Sequence, residues 1–271
     1  MGSIVRYFRF FLIGTLVATL LGACVTTEER QFSVETTDEK AVKTYVDLAL
    51  RYMAEGLMEE AKRPLRLARE INEDSPLVYA ATAYLMQTQG DLEFAEQNYI
   101  RALDLDPKFQ SARNNYGAFL YQQKKYQRAQ DLFEIVAADP LYPKRFFVYE
   151  NLGFCAIGLG QFESAETYFK KALALNGNLF RSALELAELN YRKKDYAAAQ
   201  TYIKRYSGIG MLAKIPDSAK SLWLKLRVAR ATGDSIGQMT NVRSLSAEFP
   251  ESAEYQLYLK SLGGKSAKST H

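Results

Sequence analysis

One cysteine stands where covalent chemistry is expected. Cys24 closes the run Leu21-Gly22-Ala23-Cys24, behind an apolar stretch from Phe10 to Leu21 and a basic start with Arg6 and Arg9. A basic start, a short apolar core and small residues at the junction make up an export signal. With cysteine directly after the junction, the order is that of a bacterial lipoprotein signal peptide, residues 1–23. The expected chemistry is cleavage ahead of Cys24 and attachment of lipid to its sulfur. The apolar run is about a dozen residues, short of the ~20 that a spanning helix requires. Myristoylation at the Met-Gly start is disfavoured, because Arg6 stands where that motif needs Ser or Thr.

Little else in the chain suggests a reaction. With Cys24 consumed by lipid, Cys155 has no partner for a disulfide. It sits in Leu152-Gly153-Phe154-Cys155-Ala156-Ile157 and reads as a small buried thiol. His271, the single histidine, falls in a polar tail that begins at Gly263 and is expected to be disordered. Residues for a zinc cluster or a phosphate-cradling loop are absent from the sequence pattern. Carboxylate pairs such as Glu59-Glu60 fit solvated helix faces. The chain is therefore read as no enzyme, with no catalytic residue, no metal and no cofactor beyond the covalent lipid on Cys24. Removing the signal lowers the formal charge from +4 to +2 over 248 residues. A balance so near neutral argues against nucleic acid. A small-molecule substrate is not expected either.

The residue after Cys24 is Val25. In lipoproteins of Gram-negative bacteria, Asp at that place favours the inner membrane. Val25 therefore points to the outer membrane, with the polypeptide on its periplasmic face. From Val25 to Asp38 the chain is polar and rich in Thr and Glu, a flexible tether. Fourteen such residues reach at most about 45–50 Å. The lipidated cysteine and tether together are assigned to residues 24–41.

Beyond the tether the sequence repeats. Small residues recur at Ala49, Ala83, Gly117, Gly153 and Ala187, with spacings of 34, 34, 36 and 34. A second series, Ala61, Ala95, Ala129, Ala165 and Ala199, has the same spacings. A period of about 34 with a helix–turn–helix pattern is the tetratricopeptide signature. Ala or Gly at these places lets helix backbones approach closely. Gly56, Gly90 and Gly160 mark the turn inside their units, while Lys124 and Lys194 replace glycine in the other two. The fold class is all-α, a right-handed superhelix of about six repeats across 42–252. The units fall at 42–75, 76–109, 110–143, 146–179, 180–213 and 219–252. Between the last two, Ser207-Gly208-Ile209-Gly210 and Pro216 are read as a lengthened joint. Residues 253–271 are read as the end of the last helix and the tail.

The first helices of stacked repeats line a groove. In the general repeat the second, fifth, ninth, twelfth and thirteenth places face inward. Those places hold Val46, Leu50, Met53, Ala80 and Tyr84 in the first two units. Further along they hold Asn114, Tyr121, Phe147, Glu150, Phe154, Ile157, Leu184 and Tyr191. An apolar lining of this kind marks a partner site. The alternative is that these side chains only pack on one another. Asn115 and Asn151 take the sixth place of units three and four. An amide there can donate to and accept from the backbone of an extended peptide, or can cap local backbone instead.

Several runs together resemble one family. They are Asn114-Asn115-Tyr116-Gly117, Phe119-Leu120-Tyr121, Leu141-Tyr142-Pro143, Glu150-Asn151-Leu152-Gly153 and Ala183-Leu184-Glu185-Leu186-Ala187. With the cysteine, six repeats and a two-residue insertion after Asp139-Pro140, they are similar to the type IV pilus biogenesis/stability lipoproteins called PilF or PilW. The resemblance spans essentially the whole mature chain. It implies a pilotin, which binds the secretin subunit of the pilus and promotes its outer-membrane localisation and multimerisation. The implied partners are that secretin and the outer membrane through the lipid, with the protein a monomer apart from the secretin complex. A general periplasmic scaffold lipoprotein, docking cell-wall hydrolases or outer-membrane assembly factors, is the alternative.

Overall fold

Each unit folds back on itself where one residue takes left-handed backbone. Gly56, Gly90, Gly160 and Gly233 do so at φ of 80, 86, 73 and 74°. Lys124 and Lys194 take the same conformation at 58 and 62°. A side chain in that region costs about 1–2 kcal/mol, so the two lysines hold strained turns that glycine would relieve.

A computed structural model describes residues 37–266. Cys24, the signal peptide and most of the expected tether lie outside them. The described elements are thirteen helices: α1 (Thr37–Ala54), α2 (Met58–Ile71), α3 (Pro76–Gln89), α4 (Leu92–Leu105), α5 (Gln110–Gln122), α6 (Tyr126–Ala138), α7 (Arg145–Gly158), α8 (Phe162–Leu175), α9 (Phe180–Arg192), α10 (Tyr196–Ala213), α11 (Ala219–Thr232), α12 (Ser235–Glu248) and α13 (Ala253–Ser266). Among the described residues no helix is long and apolar enough to cross a membrane. The second helices α4, α10 and α12 start at Asp91, Asp195 and Asp234, whose carboxylates accept from the backbone N–H three residues on. Ser218 and Ser221 form a reciprocal box at the start of α11. Such caps satisfy amides that the helix itself leaves open.

Packing runs in successive layers. Val42, Ala49, Leu65, Val78 and Leu85 join the first two units. Tyr99, Phe119, Phe133 and Leu152 join the second to the fourth. Phe169, Leu186, Leu224 and Val228 continue into the sixth. The small residues face one large side chain sixteen places later. Gly117 and Gly153 stand against the rings of Phe133 and Phe169. Ala49 and Ala187 stand at the same register place where that partner is Leu65 or Ile203. Both glycines thus oppose phenylalanine, a size match particular to those two layers, since Ala83 keeps its β-carbon at the same place opposite Tyr99.

Three expectations need correction. First, α1 begins at Thr37, so residues 37–41 are helix and not tether. Asp38 and Glu39 in its first turn suit the positive end of the helix dipole. Second, the run read as a joint at 207–210 is helical, because α10 continues to Ala213. Tyr206 is buried there and Ile209 packs against the same core, which outweighs the roughly 1 kcal/mol that each helical glycine costs. Gly210 instead admits the returning chain, since a β-carbon on it would lie 3.3 Å from the Ile215 carbonyl oxygen. Third, residues 253–266 form the separate helix α13, past Gly263 where the tail was expected to begin. The Ser252 hydroxyl accepts from the Tyr255 amide at 3.1 Å and starts it. Arg230 of α11 then holds it by a hydrogen bond to Ser261 Oγ at 3.0 Å.

Candidate functional site

The first helices of units one to three leave a groove of about 520 Å³ between α1, α3 and α5. Alanines make the hollow. Ala80, Ala81, Ala112 and Ala118 stand where larger side chains would fill it. Its rim is apolar and open to solvent, with Leu50 and Tyr84 each 39% exposed and Leu77 close to that. Val46 is buried and forms floor. Asn115 sits exposed at the α5 edge. Its side chain makes no hydrogen bond to another described residue, so its amide is not used as a local cap.

A polar thread crosses this apolar hollow. The Tyr99 hydroxyl donates to Gln87 Oε1 at 3.0 Å, and Gln87 Nε2 donates to Gln122 Oε1 at 2.9 Å. Burial, with Tyr84 nearby, pushes the Tyr99 hydroxyl far above the usual phenol range, so it remains a neutral donor. The thread satisfies groups that the apolar walls could not, and ties α3 to α5.

Five of the sequence-predicted residues therefore come together: Val46, Leu50, Ala80, Tyr84 and Asn115. Met53 does not join them. It is 4% exposed and belongs to the core of the first unit, packed with Ala49, Ala61 and Leu65. Its place in α1 is one helical turn past Leu50 but rotated toward α2. Tyr121 and Phe154 lie farther along. Their rings are 6.4 Å apart, with Tyr126 5.5 Å from Tyr121 and Phe169 5.1 Å edge-on to Phe154. The Arg181 guanidinium lies 4.3 Å above the Phe154 ring. These rings are largely engaged with one another. Asn151 is half-buried on α7, away from the groove. Leu77, Gln87, Ser111 and Gln122 also line the groove. They occupy the second, twelfth and thirteenth places, so the register rule contained all four; selection for apolar residues passed over Gln87, Ser111 and Gln122, but Leu77 was legible and was missed.

Cys155 is buried, and burial pushes its thiol up to about 12. It is protonated at neutral pH and lacks the thiolate that reactivity needs. Among the described residues no cluster of His, Cys, Asp or Glu has the arrangement to hold a metal ion.

Stacked helix pairs, size-matched interlocking residues and an open apolar groove define a tetratricopeptide repeat protein. Residues 81–143 and 146–179 match the tetratricopeptide repeat family. The chain is 35% identical over 242 residues to the type IV pilus assembly protein PilF of Pseudomonas aeruginosa, covering 89% of this chain and 94% of that one. The solved structure from the functional characterisation of Pseudomonas aeruginosa PilF superposes with a TM-score of 0.79 at 34% identity, over 83% of this chain and all of that one. PilW, described as a widely conserved type IV pilus biogenesis factor, superposes at 0.70 with 26% identity, over 81% and 99% of the two chains. The chain belongs to the PilF family of type IV pilus assembly proteins.

Proposed function

We propose that this pilus biogenesis protein is an outer-membrane pilotin that binds the secretin subunit through the groove between α1, α3 and α5. The observation that carries the proposal is the groove itself: exposed Leu50, Leu77 and Tyr84 around an alanine-lined hollow, with the free amide of Asn115 at its edge. An amphipathic or extended segment gains affinity by burying apolar side chains there, while Asn115 both donates to and accepts from its backbone. The lipid on Cys24 supplies the membrane address. Tethering raises the effective concentration of a captured subunit at the bilayer, and several acyl chains hold far more firmly than one.

Leu50→Asp and Tyr84→Asp test the groove. Each places a charge on the exposed rim, so each is expected to leave the circular dichroism melt unchanged and to abolish capture of the secretin subunit in a pull-down. Heat-resistant secretin rings should then be lost from cells carrying either variant. Capture at the parental level by a folded variant would remove the groove from the proposal. Cys24→Ser tests the address by fractionation, and a variant still in the outer membrane would refute the anchor.

A further inference from the structure

The inward-facing ninth place changes character along the chain. It reads Leu50, Tyr84, Ala118 and Phe154, and then Glu188 and Arg227. The twelfth place ends in Tyr191 and Arg230, and the fifth ends in Trp223. A second pocket, about 380 Å³, opens where these late residues meet, lined by Tyr191, Trp223, Arg227 and Arg230. The Arg227 guanidinium lies 4.7 Å from the Tyr191 ring centre and 5.6 Å from that of Trp223. It is also paired with Glu188, whose other oxygen accepts from Arg192 Nε at 3.0 Å. Arg230 bonds Ser261 and lies 5.1 Å from the Tyr258 ring centre, and among the described residues no carboxylate pairs with it. Two guanidiniums thus share one carboxylate and the third, Arg230, has none, leaving two positive charges uncompensated beside two aromatic faces. Arg227 Nε is buried and has no hydrogen-bond partner.

We propose that Tyr191, Trp223, Arg227 and Arg230 form a second recognition subsite, for an acidic peptide segment whose carboxylates alternate with flat apolar side chains. Arginine forks suit carboxylates, and indole and phenol rings take the intervening apolar groups. Tyr, Trp and Arg are also the residue types that dominate binding energy at protein interfaces. The same register places that line the apolar groove line this pocket, which favours a peptide over a free anion. A partner held at both sites would present an apolar stretch to units one to three and an acidic one to units five and six.

Trp223 is the single tryptophan in the chain, so its fluorescence reports this pocket and not the apolar groove. The full chain in mild detergent is titrated with a blocked hexapeptide of alternating Glu and Phe, and with its Gln–Phe analogue. The acidic peptide should give a saturable Trp223 change that weakens steeply as salt rises from about 50 to about 500 mM. Arg230→Gln should raise its dissociation constant about tenfold, while Leu50→Asp should leave it unchanged. An equal response to the Gln–Phe peptide, or no saturable response to the acidic one, overturns the proposal on the unaltered protein. Displacement of the peptide by inorganic phosphate or by phosphatidylglycerol vesicles at lower concentration would overturn it too, assigning the pocket to phosphate or to a lipid surface.

Discussion

Gly153→Ala is the sharpest test of how these repeats interlock. A β-carbon on Gly153 would stand 2.5 Å from Phe169 Cε1 and 2.7 Å from both Cδ1 and Cζ. Carbon atoms settle at about 3.5–4.0 Å, so the ring must retreat by about 1 Å. It has little room, because Phe169 is fully buried with Phe154 edge-on at 5.1 Å. Overpacking of this kind costs about 1–3 kcal/mol, and three clashing ring atoms put this case near the upper end. Replacing a helical glycine by alanine returns about 1 kcal/mol. The net expectation is a loss of about 2 kcal/mol, or roughly a 1 M drop in the urea midpoint. The assay is urea unfolding followed by far-UV circular dichroism, in a cycle with Phe169→Leu. The double variant should recover more than about 1 kcal/mol relative to the sum of the single changes, since the methyl group then fills space vacated by the ring. Gly117→Ala should cost less, because its nearest ring atom lies at 2.9 Å. A Gly153→Ala protein as stable as the parent, or a strictly additive cycle, would refute the size-matching argument.

Two further outcomes follow from the turns and the buried charges. Lys124→Gly and Lys194→Gly should each stabilise by about 1 kcal/mol, read as a higher urea midpoint, because both lysines sit at positive φ; a loss of stability would mean that side-chain contacts outweigh the backbone strain. Burial works to raise the Glu188 carboxyl, but hydrogen bonds from Arg227 and Arg192 outweigh it and hold the group below the usual carboxylate range. Its folded value therefore lies below the unfolded one, so its stabilisation is present at neutral pH and is lost as pH falls through the folded value. Glu188→Gln should cost about 2 kcal/mol at neutral pH and converge with the parent in acid, checked by urea unfolding across pH; a pH-independent difference would refute it.

The periodicity of Ala49 through Ala187 identifies the repeats because close helix approach is a strict demand, and few residue types meet it. The same demand explains why Gly117 and Gly153 replace alanine, but only once Phe133 and Phe169 are seen against them. Glycine was the wrong guide at the far end. Gly208, Gly210 and Gly263 all lie inside helices, since tertiary burial of Tyr206 and Ile209 and the Arg230–Ser261 bond override a weak local preference. The groove follows the same pattern. Leu50, Tyr84 and Asn115 face it because their places are fixed by helix geometry. Met53 fails because the twelfth place lies at the boundary between groove and core, and Gln87 at that place in the next unit does reach the groove.

That boundary separates fold from recognition within single helices. Leu50 and Met53 lie three residues apart on α1, yet one is 39% exposed and the other 4%. Charge at Leu50 alters the rim and leaves the layer of Val42, Ala49, Leu65 and Val78 intact. Charge at Met53 would be buried in that layer without a partner, at a cost of several kcal/mol, and would unfold the first unit. The same division runs through the last units, where Leu226 and Val228 are buried while Arg227 between them faces the second pocket. Groove places can therefore move from leucine to arginine along one array while the core places beside them, Leu224, Leu226 and Val228, stay apolar. A chain built this way gains binding chemistry without altering the packing that holds it together.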